Sequence, residues 1–304
     1  MLPQCHVGCA QPGHWRWAER YGQAMEEAKL RFGVMCHGTS FKTWQARCLR
    51  QLLEIPGVEP AVLIVNAAAA DPPRPRNLLR AARNVLAGRT TAWHLYARRI
   101  RDRMGSRRAV SMETEFAGVP RIECRTVQKG RWSQHFTDED VERIAAYRLS
   151  FILRFAFGIV RGSVLKAAEH GVWSFHHGDP RCYRGGPPCF WELYDGASVT
   201  GAVLQRLTHR LDAGVILHEG TFRTERGFQA YAWNCDKVML GAAAWPARVC
   251  RDLLRGDASA VRRSPCETQA PIRREPTPWQ SLVFLARCAR DELCLLYTSP
   301  SPRD

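Results

Sequence analysis

The chain has 304 residues, of which 45% are hydrophobic and 24% charged, so it is long enough to bury a core without disulfides or metals. Its formal net charge is +15, and arginine supplies most of the basic residues. A bias toward arginine explains this excess as well as a polyanionic partner does. No N-terminal run resembles a signal peptide and no apolar run is long enough to span a bilayer, so we expect a cytoplasmic protein.

Apolar runs and helical spacing predict the fold class. "LRFGVMC" (30–36) and "PAVLIVNA" (60–67) are typical of buried strands, and residues 41–55 between them carry one apolar helical face. Strand–helix–strand at this length predicts a parallel pair with a right-handed crossover. We therefore expect an α/β domain over residues 30–256, with a mostly parallel sheet and helices on both faces. Further strands are predicted at 120–127, 149–157, 171–176, 198–207 and 213–222.

Three segments do not follow this alternation of strands and helices. Residues 71–115 form an arginine-rich helical insertion, in which Trp93, Tyr96, Ile100 and Met104 recur at helical spacing. We expect this aromatic stripe to pack the helix on the sheet, and the alternative is a surface that faces phosphate groups. Residues 1–29 are expected to be a poorly ordered N-terminal extension. Residues 257–304 are expected to be a C-terminal tail, whose last residues, "LYTSPSPRD", look like translated sequencing adapter.

Polar residues follow the strand predicted at 171–176. Ser174 and His176 would share one face of that strand, and His177 would point to the opposite face. In parallel sheets the carboxyl ends of the strands form the ligand crevice. A histidine there can transfer a proton, and a carboxylate such as Asp212 can orient it. The alternative, a zinc site on His176 and His177, lacks a partner set, and the twelve cysteines contain no Cys-x-x-Cys, so we expect no metal site.

The stretch from "SFHHGDPRCYRGGPP" to "RLDAG" resembles the folate-dependent formyltransferase family. That family has an Asn-x-His strand end, an Arg-Tyr-Arg-Gly-like loop and a Leu-Asp-x-Gly motif. The histidine of the pattern falls on His176 and its aspartate on Asp212, whereas Ser174 stands where the family has asparagine. "LRFGVMCHGTSF" and "LRFAFGIV" resemble the family's first strand and its pterin loop. The resemblance covers roughly residues 30–256, without the insertion.

This resemblance implies a Rossmann-like formyltransferase fold and a set of site residues. It implies that His176 is the acid–base group, Asp212 its partner and Ser174 the replacement donor to the formyl oxygen. It also implies that Phe157, Gly158, Ile159 and Val160 hold the formyl donor and that Gly38, Thr39 and Arg184 contact the acceptor.

The implied reaction is the transfer of a formyl group from 10-formyltetrahydrofolate to an amine acceptor. A sugar nucleotide or a peptide-like amine is favoured over tRNA, because nothing after residue 257 predicts the β-barrel that tRNA-specific members of the family carry. The alternatives are hydrolysis of the formyl-folate, a non-catalytic folate- or nucleotide-binding module and, less favoured, a nucleic-acid-binding protein.

Overall fold

A computed structural model describes residues 29–67, 92–130 and 132–298. Within these residues the strands are Leu30–Cys36 (β1), Ser40–Lys42 (β2), Val58–Asn66 (β3), Ala109–Ser111 (β4), Arg121–Cys124 (β5), Val127–Lys129 (β6), Ser133–His135 (β7), Phe151–Arg154 (β8), Ile159–Arg161 (β9), Val172–His176 (β10), Arg184–Gly185 (β11), Val199–Arg206 (β12), Val215–Arg223 (β13) and Ile272–Arg273 (β14). The helices are Thr43–Leu53 (α1), Ala92–Arg101 (α2), Asp138–Ala145 (α3), Phe190–Asp195 (α4), Ala230–Ala242 (α5), Trp245–Leu254 (α6), Ser259–Arg262 (α7) and Pro278–Thr298 (α8). The predictions for residues 1–28, for the first part of the insertion (71–91) and for 299–304 lie outside the described residues.

The main sheet has seven strands in the order β13–β12–β10–β8–β1–β3–β5. The five strands from β10 to β5 run parallel, β12 is antiparallel to β10, and β13 is antiparallel to β12. The prediction of a mostly parallel α/β sheet is confirmed. The carboxyl ends of β1, β8 and β10 therefore meet at one edge, where a crevice can form.

Both faces of the sheet are covered. Phe151 and Trp173 stack at 4.0 Å between ring centroids on the face that also packs α1, α5 and α6. Ile152 and Val172, each next to one of these residues on the same two strands, belong to a second cluster with Ile144 of α3. Neighbouring residues of a strand thus serve opposite cores, as the two-residue period of a strand requires.

Local signals place the starts of two helices, and a glycine excludes a third. Thr137 caps α3 by accepting a hydrogen bond from the backbone N–H of Asp140, and Pro246 lies in the first turn of α6, where its missing N–H is not needed. The stretch "RGSVLKAAEH" (161–170) has the composition of a helix, but it does not form an α-helix. Gly162 has a φ of 89° and turns the chain after β9, so only a single 3-10 turn, Ser163–Lys166, fits before β10.

Helix α2 belongs to the core, with the predicted aromatic stripe facing inward. Trp93, Tyr96, Ile100 and Met104 are all buried. We expected this stripe to pack on the sheet, but it packs on other helices. The ring of Trp93 lies 4.5 Å from that of Phe190 in α4, and it also contacts rings of α5 and α8. The sheet face is already occupied by α1 and α5, so α2 forms a further layer.

The segment from residue 257 to 298, which the sequence predicts to be a tail, supplies part of this layer. Phe284 and Cys288 of α8 are buried against α2 and α4. The division of the chain at residue 256 stays a prediction. No helix in the described part of the chain is long and apolar enough to cross a membrane.

Replacing Trp93 by alanine is expected to lower the free energy of unfolding by about 3–5 kcal/mol, because a large buried ring is lost from a helical layer. Urea unfolding followed by fluorescence or circular dichroism measures the change. Leu95→Ala on the same helix is the control, since Leu95 is 66% exposed. Equal midpoints for the two variants would contradict the placement of α2 in the core.

Candidate active site

The site begins at the carboxyl end of β10. Ser174 and His176 lie on one face of the strand, with exposed fractions of 2% and 9%. Phe175 and His177 lie on the other face, beside the edge of the Trp44 ring in α1. The structure thus separates the two adjacent histidines as the strand period predicts.

Asp212 reaches this strand from a distant loop. Its backbone has a left-handed φ of 48°, a conformation that aspartate tolerates better than most residues. Its Oδ2 accepts a hydrogen bond from the backbone N–H of Gly185 at 2.8 Å, and its Oδ1 lies 3.5 Å from Nδ1 of His176. The structure therefore brings the predicted His176–Asp212 pair together.

Two motif glycines allow these loops to approach. A Cβ on Gly185 would lie 2.1 Å from the carbonyl oxygen of Arg273, and Gly185 also has a φ of 84°. A Cβ on Gly214 would lie 2.2 Å from the carbonyl oxygen of Arg206. Any other residue would displace backbone at either place, so both glycines are needed to position Asp212.

The contacts of His176 determine which of its ring nitrogens can accept a proton. Its Nε2 lies 2.7 Å from the carbonyl oxygen of Tyr183, which can only accept, so Nε2 carries the proton. Because a neutral imidazole has a single N–H, Nδ1 is then the basic nitrogen. Nδ1 faces Asp212, whose carboxylate would stabilise a proton gained there.

His177 has no such capacity. Burial, and then the neighbouring side chains of His176, Lys42 and Arg107, lower its pKa to about 3, so its ring stays neutral. It stacks on Phe175 instead. The two histidines make separate contacts, and no group of three or more metal-ligating side chains occurs in the described ranges.

A cavity of about 220 Å³ adjoins the pair. Gly158, Ile159 and Val160 of the predicted donor loop line it together with Ser174 and Asp212. Phe157 is not in its wall; its ring packs on Phe136. Ligand sites for drug-sized molecules measure about 300–1,000 Å³, so this cavity suits one flat ring system with the remainder of a ligand outside. The other lining residues are Trp132, Arg154, Arg161, Gln205, Leu207, Thr208, Arg210 and Leu211.

Arg154 is a site residue that the sequence analysis missed. Its Nε and Nη2 donate to the hydroxyl oxygen of Ser174 at 3.1 and 2.9 Å, and its Nη1 donates to the carbonyl oxygens of Phe157 and Gly158. Burial lowers the pKa of the guanidinium, and the charge of Asp212 opposes that change. The sequence did contain a signal for Arg154 as a site residue, because it is the single charged residue in the apolar run 149–157.

The three predicted acceptor contacts lie apart from this cavity. Arg184 donates from Nε and Nη2 to the carbonyl oxygen of Leu211 and from Nη1 to that of Ala270, so its guanidinium braces the Asp212 loop. Gly38 has a φ of 110°, and the hydroxyl of Thr39 donates to a carboxylate oxygen of Glu113. Gly38 and Thr39 form the turn between β1 and β2.

This turn borders a second cavity, of about 300 Å³. Its neighbours His37 and Ser40 line the cavity, together with the cations Lys42 and Arg107. Burial and the charges of Arg107 and Arg101 lower the pKa of Lys42. Neither lining cation is paired with a carboxylate of the described residues. The cavity is therefore positively charged.

A larger cleft, of about 890 Å³, lies by the amino ends of β8 and β10. Its walls include Leu149, Gly171 and Arg206. None of the predicted site residues lines it. Parallel sheets bind ligands at the carboxyl ends of their strands, so size alone does not make this cleft the site.

Fold and site together define an α/β protein with a histidine–aspartate pair at the carboxyl edge of its sheet. No family model matches the chain. Methionyl-tRNA formyltransferase of Listeria monocytogenes serotype 4a is 30% identical over 84 residues, 27% of this chain and 27% of the relative. The Bacillus mycoides enzyme of the same name is 24% identical over 159 residues, 52% of this chain and 48% of that one.

The aligned region thus spans about half or less of the curated relatives' length. A sugar N-formyltransferase from a Shewanella species has a solved structure that covers 85% of this chain and 87% of its own, with 9% identity and a TM-score of 0.49. A formyltetrahydrofolate deformylase from Pseudomonas syringae covers 76% and 63%, with 16% identity and a TM-score of 0.47. The predicted resemblance is confirmed by the sequence matches: part of this chain is similar in sequence to methionyl-tRNA formyltransferases.

A buried carboxyl group lies beside the site. Glu192 of α4 is 2% exposed, and burial raises its pKa from 4.5 to about 7. Its Oε1 has no hydrogen-bond partner among the described residues. A Cβ on Gly178 would lie 3.1 Å from Nε2 of His176 and 3.3 Å from Oε1 of Glu192, so a larger residue there would press on both groups.

Glu192→Gln is expected to stabilise the protein at pH 8 by on the order of 2–3 kcal/mol. The folded pKa lies above the unfolded one, so the wild type loses stability as pH rises from about 4.5 to about 7. The advantage of the variant should shrink toward pH 4.5. Urea unfolding at pH 5, 6.5 and 8 measures it, with exposed Glu142→Gln as control. A difference that stays constant with pH would contradict the assignment.

Proposed function

We propose that this protein transfers a formyl group from 10-formyltetrahydrofolate to an amine acceptor. The observation that supports the proposal is the convergence of His176, Asp212 and Ser174 beside a cavity lined by the loop 158–160. An acid–base pair, a hydroxyl donor and a ring-sized cavity are the parts that acyl transfer to an amine requires. The catalytic domain is proposed to comprise residues 30–256 and to act in the one-carbon metabolism of the cytoplasm.

The cavity fits the ring end of such a donor. Ile159 and Val160 offer apolar contacts and backbone groups, Gly158 admits close approach, and Asp212 and Gln205 supply polar atoms at the wall. The bound donor would supply an activated formyl group on nitrogen. The loop 158–160 would hold the ring, and the formyl group would lie toward Ser174.

His176 is proposed to move the proton. Its Nε2–H is held by the carbonyl oxygen of Tyr183, so Nδ1 would take the proton from the attacking amine and later give it to the departing nitrogen. Asp212 would stabilise the ring while it is charged, and it keeps the ring in place through its own bond to Gly185. In this role the pair acts as one unit.

The acceptor is proposed to be a small amine with an anionic group. The second cavity lies at the same edge of the sheet, and Lys42 and Arg107 line it without carboxylate partners among the described residues. A phosphate group suits two such cations. This supports a sugar nucleotide more than a neutral peptide-like amine. The curated relatives are named for methionyl-tRNA, so tRNA stays in the set of candidates to be tested.

A panel of amine acceptors, incubated with 10-formyltetrahydrofolate and read by mass spectrometry, tests the function. We expect one formyl group to be gained by an amino-sugar nucleotide, with little transfer to peptides. Release of formate without an acceptor would instead identify a hydrolase. Folate binding without either product would identify a binding module, and salt-sensitive binding of duplex or tRNA alone would favour a nucleic-acid partner.

Ser174→Ala is expected to lower kcat about 100-fold, because a donor to the developing oxyanion is lost. Affinity for tetrahydrofolate, which has no formyl oxygen, should stay unchanged. Ser174→Asn restores an amide donor and should keep or raise kcat. His176→Ala should abolish measurable transfer, and full activity in that variant would exclude the proposed mechanism. Steady-state kinetics and isothermal titration calorimetry give the two quantities.

Lys42→Gln is expected to raise KM for an anionic acceptor about tenfold while changing kcat little, because it removes uniform binding of the substrate. The exposed Lys166→Gln serves as a matched control with the same change of charge. A neutral amine acceptor should show no difference between the two variants. If Lys42→Gln left KM unchanged for phosphate-bearing acceptors, the second cavity would not be the acceptor site.

A further inference from the structure

Arg154 is placed beside Ser174 by strand register. β8 and β10 are parallel neighbours in which Leu153 pairs with Trp173, so the next residue of each strand lies on the opposite face, at adjacent positions. Arg154 and Ser174 thus both face the 220 Å³ cavity that holds Asp212. A charged residue at the end of the central strand has no packing role that an apolar residue could not fill better.

The hydrogen bonds fix what the Ser174 hydroxyl can do. Its oxygen accepts two N–H groups of Arg154, at 3.1 and 2.9 Å. A serine oxygen has two lone pairs, so both are occupied and the hydroxyl can only donate. Its present acceptor is the carbonyl oxygen of Phe175 at 3.4 Å, a long contact that a better-placed oxygen would replace.

The positive charge of the Arg154 guanidinium strengthens the Ser174 hydroxyl as a donor. A hydroxyl that accepts from a guanidinium is polarised and becomes a stronger donor. The other bonds of Arg154, from Nη1 to the carbonyl oxygens of Phe157 and Gly158, hold the guanidinium in place. Four of its five N–H groups are engaged, so the side chain has little freedom to turn away.

We propose that Arg154 is a positioning residue that makes the Ser174 hydroxyl a dedicated donor to the formyl oxygen. The pair thereby replaces the amide that the related proteins are expected to use, and this inference rests on the proposed function. As the bond between the acceptor nitrogen and the formyl carbon forms, the carbonyl π electrons move to the oxygen, and Ser174 donates to it. When those electrons return, the bond from the formyl carbon to the donor nitrogen breaks, and His176 delivers the proton to that nitrogen.

The experiment compares Arg154→Gln, Ser174→Ala, the double variant of both, and Arg154→Gln with Ser174→Asn. Because the two residues act as one unit, each single change and the Arg154→Gln/Ser174→Ala double change should lower kcat by a similar factor, about 100-fold. Ser174→Asn should restore most of kcat to Arg154→Gln, since an amide N–H needs no guanidinium to direct it. Arg143→Gln on α3 is the control, because Arg143, like Arg154, donates to a backbone carbonyl oxygen, and it lines none of the cavity near Ser174.

Calorimetry with two ligands separates this role from support of the loop. The wild type should bind 5-formyltetrahydrofolate and tetrahydrofolate, and Arg154→Gln should bind tetrahydrofolate within about threefold of the wild type. Loss of tetrahydrofolate binding together with kcat would show that Arg154 only braces the loop 157–158, and would overturn the inference. So would multiplicative losses in the double variant, or no rescue by Ser174→Asn.

The outcomes also distinguish the inference from the proposed function. If the wild type transfers formyl and Arg154→Gln transfers it equally well, only the inference fails. If the wild type binds no reduced folate, the proposed formyl donor is wrong, and the role of Arg154 that depends on it is wrong as well. Thermal midpoints check that each variant folds. If Arg154→Gln proves unstable, Arg154→Lys replaces it, because lysine keeps the charge but cannot donate two hydrogen bonds in the same fixed geometry. The kcat of Arg154→Lys should then lie between that of the wild type and the value expected for Arg154→Gln.

Discussion

The carboxylate of Asp212 joins parts of the chain that the fold would otherwise leave independent. One oxygen is held by the backbone N–H of Gly185, and the other faces Nδ1 of His176. Arg184 adds a second brace by donating to the carbonyl oxygen of Leu211. The loop before β13, the turn at β11 and the end of β10 are therefore fixed relative to one another. The orientation of the imidazole follows from that arrangement.

The sheet distributes chemistry and packing between its two faces. On β10, Ser174 lines the cavity and His176, on the same face, contacts Asp212, while Phe175 and His177 meet Trp44 of α1. The two histidines therefore have different environments. Burial lowers the pKa of His177 to about 3, whereas His176 lies beside the carboxylate of Asp212. A single-residue shift of this strand would exchange the two roles.

Positive charge is concentrated at the same edge, in two separate places. Arg154 lies within the cavity beside Asp212, and Lys42 with Arg107 lines the cavity next to the first turn. Buried charge is unfavourable unless it has partners or a function. Arg154 has partners in Ser174 and two carbonyl groups, whereas the cations of the second cavity have no carboxylate partner in the described part of the chain. This difference supports a structural and directing role for Arg154 and a ligand-binding role for the other two.

The sequence by itself determined the period-dependent features of the protein. Apolar runs predicted the parallel strands, and the two-residue period of β10 separated His176 from His177. These strand features depend on neighbours a few residues apart, so a single sequence contains them. The His176–Asp212 pair, whose members are far apart in the chain, was implied by the resemblance to the formyltransferases.

Only the tertiary structure decided the features that depend on strand register and layering. Arg154 lies beside Ser174 because β8 and β10 pair in one particular register, which no local pattern encodes. Arg184 turned out to brace a loop because its partners, Leu211 and Ala270, come from distant segments. Helix α8 joins the core because α2 and α4 leave an apolar surface for Phe284. Such contacts arise from the packing of whole elements, and their residues are far apart in the chain.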